Sequence, residues 1–496
     1  MNKLQLKNFR CLKDTGDVKL KPLTFLVGAN SSGKSSFLKF FPLLRQSARV
    51  RKRGVFLWNY HDVDLMDFKN TVREGADSMS VNFTISNLSL RRYDLVNNER
   101  ELNDVRVELT ISGKGDHYDY LSNIDVRYGN QHLQVSSNVN ERAAIFINDV
   151  CMNELYKEYE QVLLSTSVTG LIPIIWFSSE KDIDTKPMLN FAAMRKLIQD
   201  KFSSSQMAAA RLRSALNLVL FSKEELAEYI KTEWNVQFNQ FDIDSLNNLL
   251  LYHNVSRILQ SINEFMINYA NSIEYIRPLR ATVERYYRFQ NYAIDEIESN
   301  GENLAMYLYN LSSSVKSRLD NWTERLFNFK IEVKPHEGHV ELGIVESTET
   351  KQFHNLVDVG FGYTQLLPIL VVIWKAVYSP DARRMKLSRA YRRVIVIEQP
   401  ELHLHPKMQM LFADMLAMVI TSIQSRKFCF IIETHSETII NRIGELIAGE
   451  GSLSGDDVNV VLFHKDKDGH TVTFSNYDKD GYLENWPVGF FSGYAD

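Results

Sequence analysis

Eight residues near the amino terminus, Gly28-Ala29-Asn30-Ser31-Ser32-Gly33-Lys34-Ser35, follow the spacing G-x-x-x-x-G-K-[ST]. The two glycines let the backbone curl until successive N–H groups point at one anion. A lysine directly after the second glycine can reach the β- and γ-phosphates of a nucleotide, and the next hydroxyl can ligate Mg²⁺. Gly28, Asn30, Ser31, Ser32, Gly33, Lys34, Ser35 and Ser36 are therefore the candidate nucleotide-binding residues. Far along the chain, Val394-Ile395-Val396-Ile397 ends in Glu398-Gln399-Pro400-Glu401. An acid at the end of a buried strand can hold Mg²⁺ and its water. Phe428-Cys429-Phe430-Ile431-Ile432 ends in Glu433-Thr434-His435-Ser436-Glu437, and a histidine delivered there can touch a γ-phosphate bound beside the adjacent strand. The chemistry expected is binding and hydrolysis of ATP, with Ser35 and Glu398 as the Mg²⁺ residues and Glu398, Gln399, Glu401 and His435 around the reacting phosphate.

These residues need strands that end together. Leu23-Thr24-Phe25-Leu26-Val27 reads as the strand before the loop, and Ser36-Phe37-Leu38-Lys39-Phe40-Phe41 as the helix after it. Ligands in open α/β sheets lie at the carboxyl ends of the strands, so an α/β core is expected. The two halves of the site lie over 350 residues apart, so the material between them is inserted into one nucleotide-binding fold. Residues 1–79 are expected to carry the first part of that fold, and 271–496 the second. Residues 80–150 alternate with period two (Val105-Arg106-Val107-Glu108-Leu109-Thr110-Ile111, for example), so 80–187 is expected to be a mainly antiparallel β insertion. Residues 188–270 turn helical, with Met207 to Leu220 and Ile243 to Ile267 as the clearest stretches, and read as an inserted arm or lid.

The formal net charge of −4 gives no global attraction to nucleic acid or to anionic membranes, so nucleic-acid contact would need a local basic patch. Arg45, Arg49, Arg51, Lys52 and Arg53 offer either such a patch or a solvated helix end. Residues 273–289 interleave Tyr275, Arg277, Arg280, Arg285, Tyr286, Tyr287 and Arg288, as a stacking or phosphate-binding surface would, or as a strand end and loop with ordinary ion pairs would. The three cysteines match no metal spacing and suit a reducing cytoplasm. No apolar run reads as spanning a membrane, and Leu366 to Val377 is expected to be broken by Pro368. His403 and His405 read either as part of a metal cluster or as shaping the turn after Glu398. Asp358 reads as a ribose contact or a helix cap.

One more element sits between the loop and the Glu398 strand: Gly360-Phe361-Gly362-Tyr363-Thr364-Gln365, followed by an apolar helix. It resembles the signature motif of ABC-type ATPases, with Gly360, Gly362, Thr364 and Gln365 as further nucleotide-binding residues and Thr364 as a helix cap. The fold implied is an ABC-type P-loop ATPase head, Walker A in 1–79 and signature, Walker B and switch histidine His435 in 271–496. The resemblance implies a dimer, or higher homo-oligomer, that sandwiches ATP. Gln46 is the nearest glutamine after the loop for that class's Q-loop, but it falls on the loop's own helix. Within the class, Glu398 to Pro406 and Glu433 to Glu437 look like the RecF, OLD and Rad50 branch, and Trp486-Pro487-Val488-Gly489-Phe490-Phe491 resembles the DUF3696-type carboxyl terminus. Similar ATPases serve bacterial anti-phage systems (Septu, PARIS, retron-linked), where they control a nuclease or toxin; others act in DNA repair and recombination. The branch usually carries Asp-Glu before the proline. Here Gln399 stands where the general base belongs, and an amide takes no proton. Glu401 is the alternative base. Otherwise hydrolysis is slow and the chain is closer to an ATP-sensing scaffold.

Overall fold

The structure, a computed structural model, describes residues 1–90, 101–115, 118–139, 143–153, 161–165, 170–172, 174–178, 197–198, 211, 222–278, 284–289, 296–346, 352–378, 392–422, 428–449, 453–466 and 469–487. The chain divides into two compact units, Met1–Asp17 with Leu43–Asn271, and Val18–Pro42 with Ser272–Asp496.

The second unit is built on a sheet in the order Ile273–Ile276, Arg393–Glu398, Phe428–Glu433, Leu23–Gly28, Val458–Asp466, all parallel. Gly469–Ser475 closes one edge antiparallel. Strands covered on both faces read as continuous apolar runs, which is why Val394–Ile397 and Phe428–Ile432 show no alternation. They share one core with Leu366, Leu370, Phe412, Leu416, Ile440 and Ile443 from three helices, Phe361–Tyr378, Pro406–Thr421 and Glu437–Ala448. The register sets Glu398 opposite Glu433, Glu433 opposite Leu26, and Gly28 opposite Phe463. The loop and both acidic strand ends therefore lie along one rim.

Pro368 does not break its helix. Phe361–Tyr378 runs through it as 18 continuous residues. A proline inside a helix costs about 3 kcal/mol, but burial of an aliphatic side chain returns roughly 1.5–3 kcal/mol, and Leu366, Leu367, Ile369, Leu370, Val371 and Ile373 are all 0% exposed. Gly301 makes room for the ring: a Cβ there would meet Pro368 Cγ at 3.1 Å. By length and hydropathy this helix could cross a membrane, but 67% of it is buried inside the protein, as befits a core helix.

The first unit holds an antiparallel sheet in the order Val150–Cys151, Ala143–Ile147, Gln131–Ser137, Tyr118–Tyr128, Glu101–Lys114, Ser78–Ser89, Lys3–Phe9, Leu12–Asp14. Its period-two reading is fulfilled, Val105, Val107, Leu109 and Ile111 pointing inward. The sheet also takes in strands from residues 3–14. Helix Gln240–Asn271 lies on this sheet. The amides of Gln131 and Asn247 exchange hydrogen bonds at 3.0 and 2.9 Å, and Asn148 donates to Asn248 at 2.8 Å. The stretch Met207 to Leu220 lies outside the described residues apart from Arg211.

Two members of the basic cluster after the loop are committed inside the first unit, while Arg49, Arg51 and Arg53 are exposed. Arg45 is buried beside Asp62 at 3.5 Å, and Lys52 Nζ donates to the carbonyls of Ser47 and Gly170. Gln46 is buried as well. Its amide holds the backbone of Leu57 and Val63, so it belongs to the core of the first unit.

Candidate nucleotide site

The loop leaves its strand at Gly28, where a Cβ would meet the Phe463 carbonyl oxygen at 2.4 Å and Ser32 Oγ at 2.7 Å. Only glycine fits that approach. Gly33, at φ 109°, turns the chain into the helix that begins at Lys34. Lys34 is 3% exposed, and its Nζ donates to the carbonyls of Gly28 (2.9 Å) and Ala29 (2.7 Å). Burial lowers its pKa, while Glu433 and Glu401 oppose the shift. Asn30 and Ser31 form the exposed tip, Ser35 and Ser36 are half-buried, and Ser32 Oγ is buried with no hydrogen-bond partner among the described residues.

Two carboxylates end adjacent strands of the sheet, and Glu433 faces this loop. Glu398 accepts from Tyr275 Oη at 2.5 Å, and Glu433 Oε1 accepts from Ser35 Oγ at 2.8 Å. Glu433 is 2% exposed, and its Oε2 has no hydrogen-bond partner among the described residues. Burial, then the neighbouring Glu398, raises its pKa to about 7, against the Ser35 hydrogen bond and Lys34. Hard oxygen donors and an orphaned buried carboxylate oxygen beside Ser35 fit a Mg²⁺ ion. Tyr275 and Glu433 were not singled out as site residues from the sequence. Tyr275 belongs to the first strand of the parallel sheet, not to a stacking surface.

Past Glu398 the chain turns sharply. Gln399 sits at φ 43°, and its N–H donates to the Glu433 carbonyl at 2.8 Å. Glu401 Oε2 accepts from Thr434 Oγ1 at 2.9 Å and its Oε1 from the N–H of His435 at 2.7 Å. Glu401 thus clamps the turn that carries His435. Burial first, then Lys34, lowers the His435 pKa and so favours the uncharged imidazole.

A family model described as AAA ATPase domain matches residues 1–440. The chain belongs to the AAA ATPase domain family. This AAA ATPase is also similar in structure to the Smc head domain with an extended coiled coil bound to the C-terminal domain of ScpA from Pyrococcus furiosus, at 13% identity over 95% of each chain with a TM-score of 0.34. The SMC head domain from Thermotoga maritima matches at 10% identity over 95% of this chain and 97% of that one, TM-score 0.33. No curated protein matches the sequence.

The remaining expected residues of the ATPase form a second group. Gly360, at φ 90° with open space around it, precedes the helix that starts at Phe361. Thr364 consequently lies in the first helical turn and is not its cap; its hydroxyl donates to the Phe361 carbonyl at 2.7 Å. Thr364 and Gln365 are buried, whereas Phe361 is 64% exposed. Gly362 packs against the His403 carbonyl, which a Cβ would meet at 3.1 Å, and the Phe361 ring lies 5.5 Å from that of His403. His405 caps the Pro406–Thr421 helix, its Nδ1 accepting from the Lys407 N–H at 3.2 Å. The two histidines therefore shape the turn. Asp358 neither caps a helix nor stands free for a ribose: Arg285 grips it at 2.5 and 3.1 Å.

Proposed function

We propose that this ATPase binds Mg²⁺-ATP at Gly28–Ser36, that the Gly360–Gln365 motif of a second copy covers the nucleotide, and that hydrolysis is slow. Lys34 supplies charge to the β- and γ-phosphates, and the loop amides orient them. When bound, Mg²⁺ neutralises the charge that develops between these phosphates. His435, half-buried, donates a hydrogen bond toward the γ-phosphate. Glu401 fixes the loop that presents it.

The observation carrying slow hydrolysis is the place of Gln399 at the end of the Glu398 strand, with Glu401 already hydrogen-bonded at both oxygens. Gln399 can orient a water by donating and accepting, but it cannot remove the proton. Because phosphoryl transfer depends chiefly on positioning and charge stabilisation, orientation alone supports slow turnover. Phosphate release at saturating ATP is the test. Gln399→Glu should raise turnover by about a hundredfold, the worth of a placed base. A Gln399→Glu rate equal to the wild type would return the base to Glu401.

The sequence likeness of Glu398–Pro406 and Glu433–Glu437 supports a cellular reading: a cytoplasmic ATPase and sensor subunit of a bacterial anti-phage system that restrains a nuclease or toxin. Loss of phage resistance in cells carrying Lys34→Ala in place of the wild type would bear this out; equal resistance would count against it.

A further inference from the structure

The geometry points to Glu433 as a direct ligand of the nucleotide's Mg²⁺ beside Ser35, with Glu398 in the supporting position; this rests on the Mg²⁺-ATP reading above. The motif makes Ser35 Oγ a metal ligand. That hydroxyl is turned to Glu433, 2.8 Å from Oε1. Adjacent ligands of an octahedral Mg²⁺ at about 2.1 Å stand about 3 Å apart, so the observed pair already has the spacing of two neighbouring ligands. Glu398, by contrast, receives the Tyr275 hydroxyl at 2.5 Å, which fixes it from the side of the Ile273–Ile276 strand.

A second observation is independent of that pair. Glu433 Oε2 is buried and accepts no hydrogen bond among the described residues, although the side chain is only 2% exposed. A buried carboxylate oxygen is expensive to leave unmatched. Glu433 also stands opposite Glu398 across the strand pair, and like charges so placed repel unless a cation lies between them. The Lys34 ammonium, close enough to act on Glu433, is directed to the Gly28 and Ala29 carbonyls. A divalent ion beside Ser35 neutralises the buried Glu433 carboxylate that carries the orphaned oxygen and relieves its repulsion with Glu398.

Mn²⁺ serves as the probe, titrated by electron paramagnetic resonance into protein with a non-hydrolysable ATP analogue. Analogue affinity in chelator is measured in parallel. Glu433→Gln should lower Mn²⁺ affinity by about a hundredfold or more, beyond the roughly tenfold to hundredfold cost of disturbing a supporting group, and circular dichroism checks that the variant is folded. Glu433→Cys should shift preference from Mn²⁺ to Cd²⁺, because thiolate favours the softer ion; if the Gln variant does not fold, this variant decides. Wild-type Mn²⁺ affinity in Glu433→Gln, or no gain for Cd²⁺ in Glu433→Cys, overturns the assignment. A wild type that binds no nucleotide, with or without metal, overturns the nucleotide reading and this assignment with it.

Discussion

On the proposed reading Lys34 is the loop's phosphate contact, and its removal separates binding from everything later. In the structure its ammonium holds the two loop carbonyls of Gly28 and Ala29. A hydrogen bond to a charged group contributes about 1.5–3 kcal/mol, so Lys34→Ala should weaken ATP binding by about tenfold to a hundredfold. Isothermal titration with Mg²⁺ present checks this, and unchanged affinity would refute the phosphate-loop assignment. At this scale the sequence was legible wherever a motif is local. Gly28 to Ser35, Glu398 and His435 announce themselves by their immediate neighbours. Glu433 and Tyr275 did not, because their partners Ser35 and Glu398 lie 398 and 123 positions away and only strand pairing brings them together. Thr364 misled for a different reason: the positive φ of Gly360 starts the helix at Phe361, three residues before the hydroxyl.

Periodicity announced the elements, and packing decided their ends. The antiparallel strands followed from alternation, but Pro368 and the 240–271 helix depended on burial that no local rule supplies. Two places test how tightly elements are joined. Gly444, inside helix Glu437–Ala448, has no room for a methyl group: a Cβ would meet the Gly481 carbonyl oxygen at 2.4 Å and Tyr477 at 3.2 Å. Gly444→Ala should therefore cost about 1–3 kcal/mol in a denaturant titration, as overpacking does. No loss would mean that the 476–484 segment is free to move off the helix. In the first unit, Asp119 Oδ2 accepts the N–H groups of Val55 (3.1 Å) and Phe56 (3.3 Å), and Gly54 lets the backbone come that close. Burial raises the Asp119 pKa to about 6 despite those hydrogen bonds. The sign follows. Between the ordinary value of 3.8 and about 6, the folded state keeps a proton that the unfolded chain has released. Stability should then fall as pH rises through that window, by about 3 kcal/mol in all, and level off above it. Asp119→Asn keeps an acceptor oxygen and removes the charge. The difference between variant and wild type should grow from pH 4 to pH 6, and parallel stability curves would contradict this account.

For the molecule as a whole, composition set few limits, and the weak net charge matches a basic cluster whose members Arg45 and Lys52 are committed to internal contacts. The family follows from the match over residues 1–440, and the common rim of the loop and the acidic strand ends from one parallel sheet. Association is the claim on which the proposed cycle stands. Of the motif residues offered to a second copy, Phe361 projects from the surface, while Thr364 is buried and would not bear a bulky probe. The direct test is the mass in solution by light scattering, with Mg²⁺ and a non-hydrolysable ATP analogue. Wild-type protein should double its mass when the analogue is added. Lys34→Ala should not, because it binds too little nucleotide, and Phe361→Glu should not, although it still binds the analogue. A wild type whose mass ignores nucleotide, or a Phe361→Glu variant that associates as the wild type does, would contradict the ATP-bridged pair.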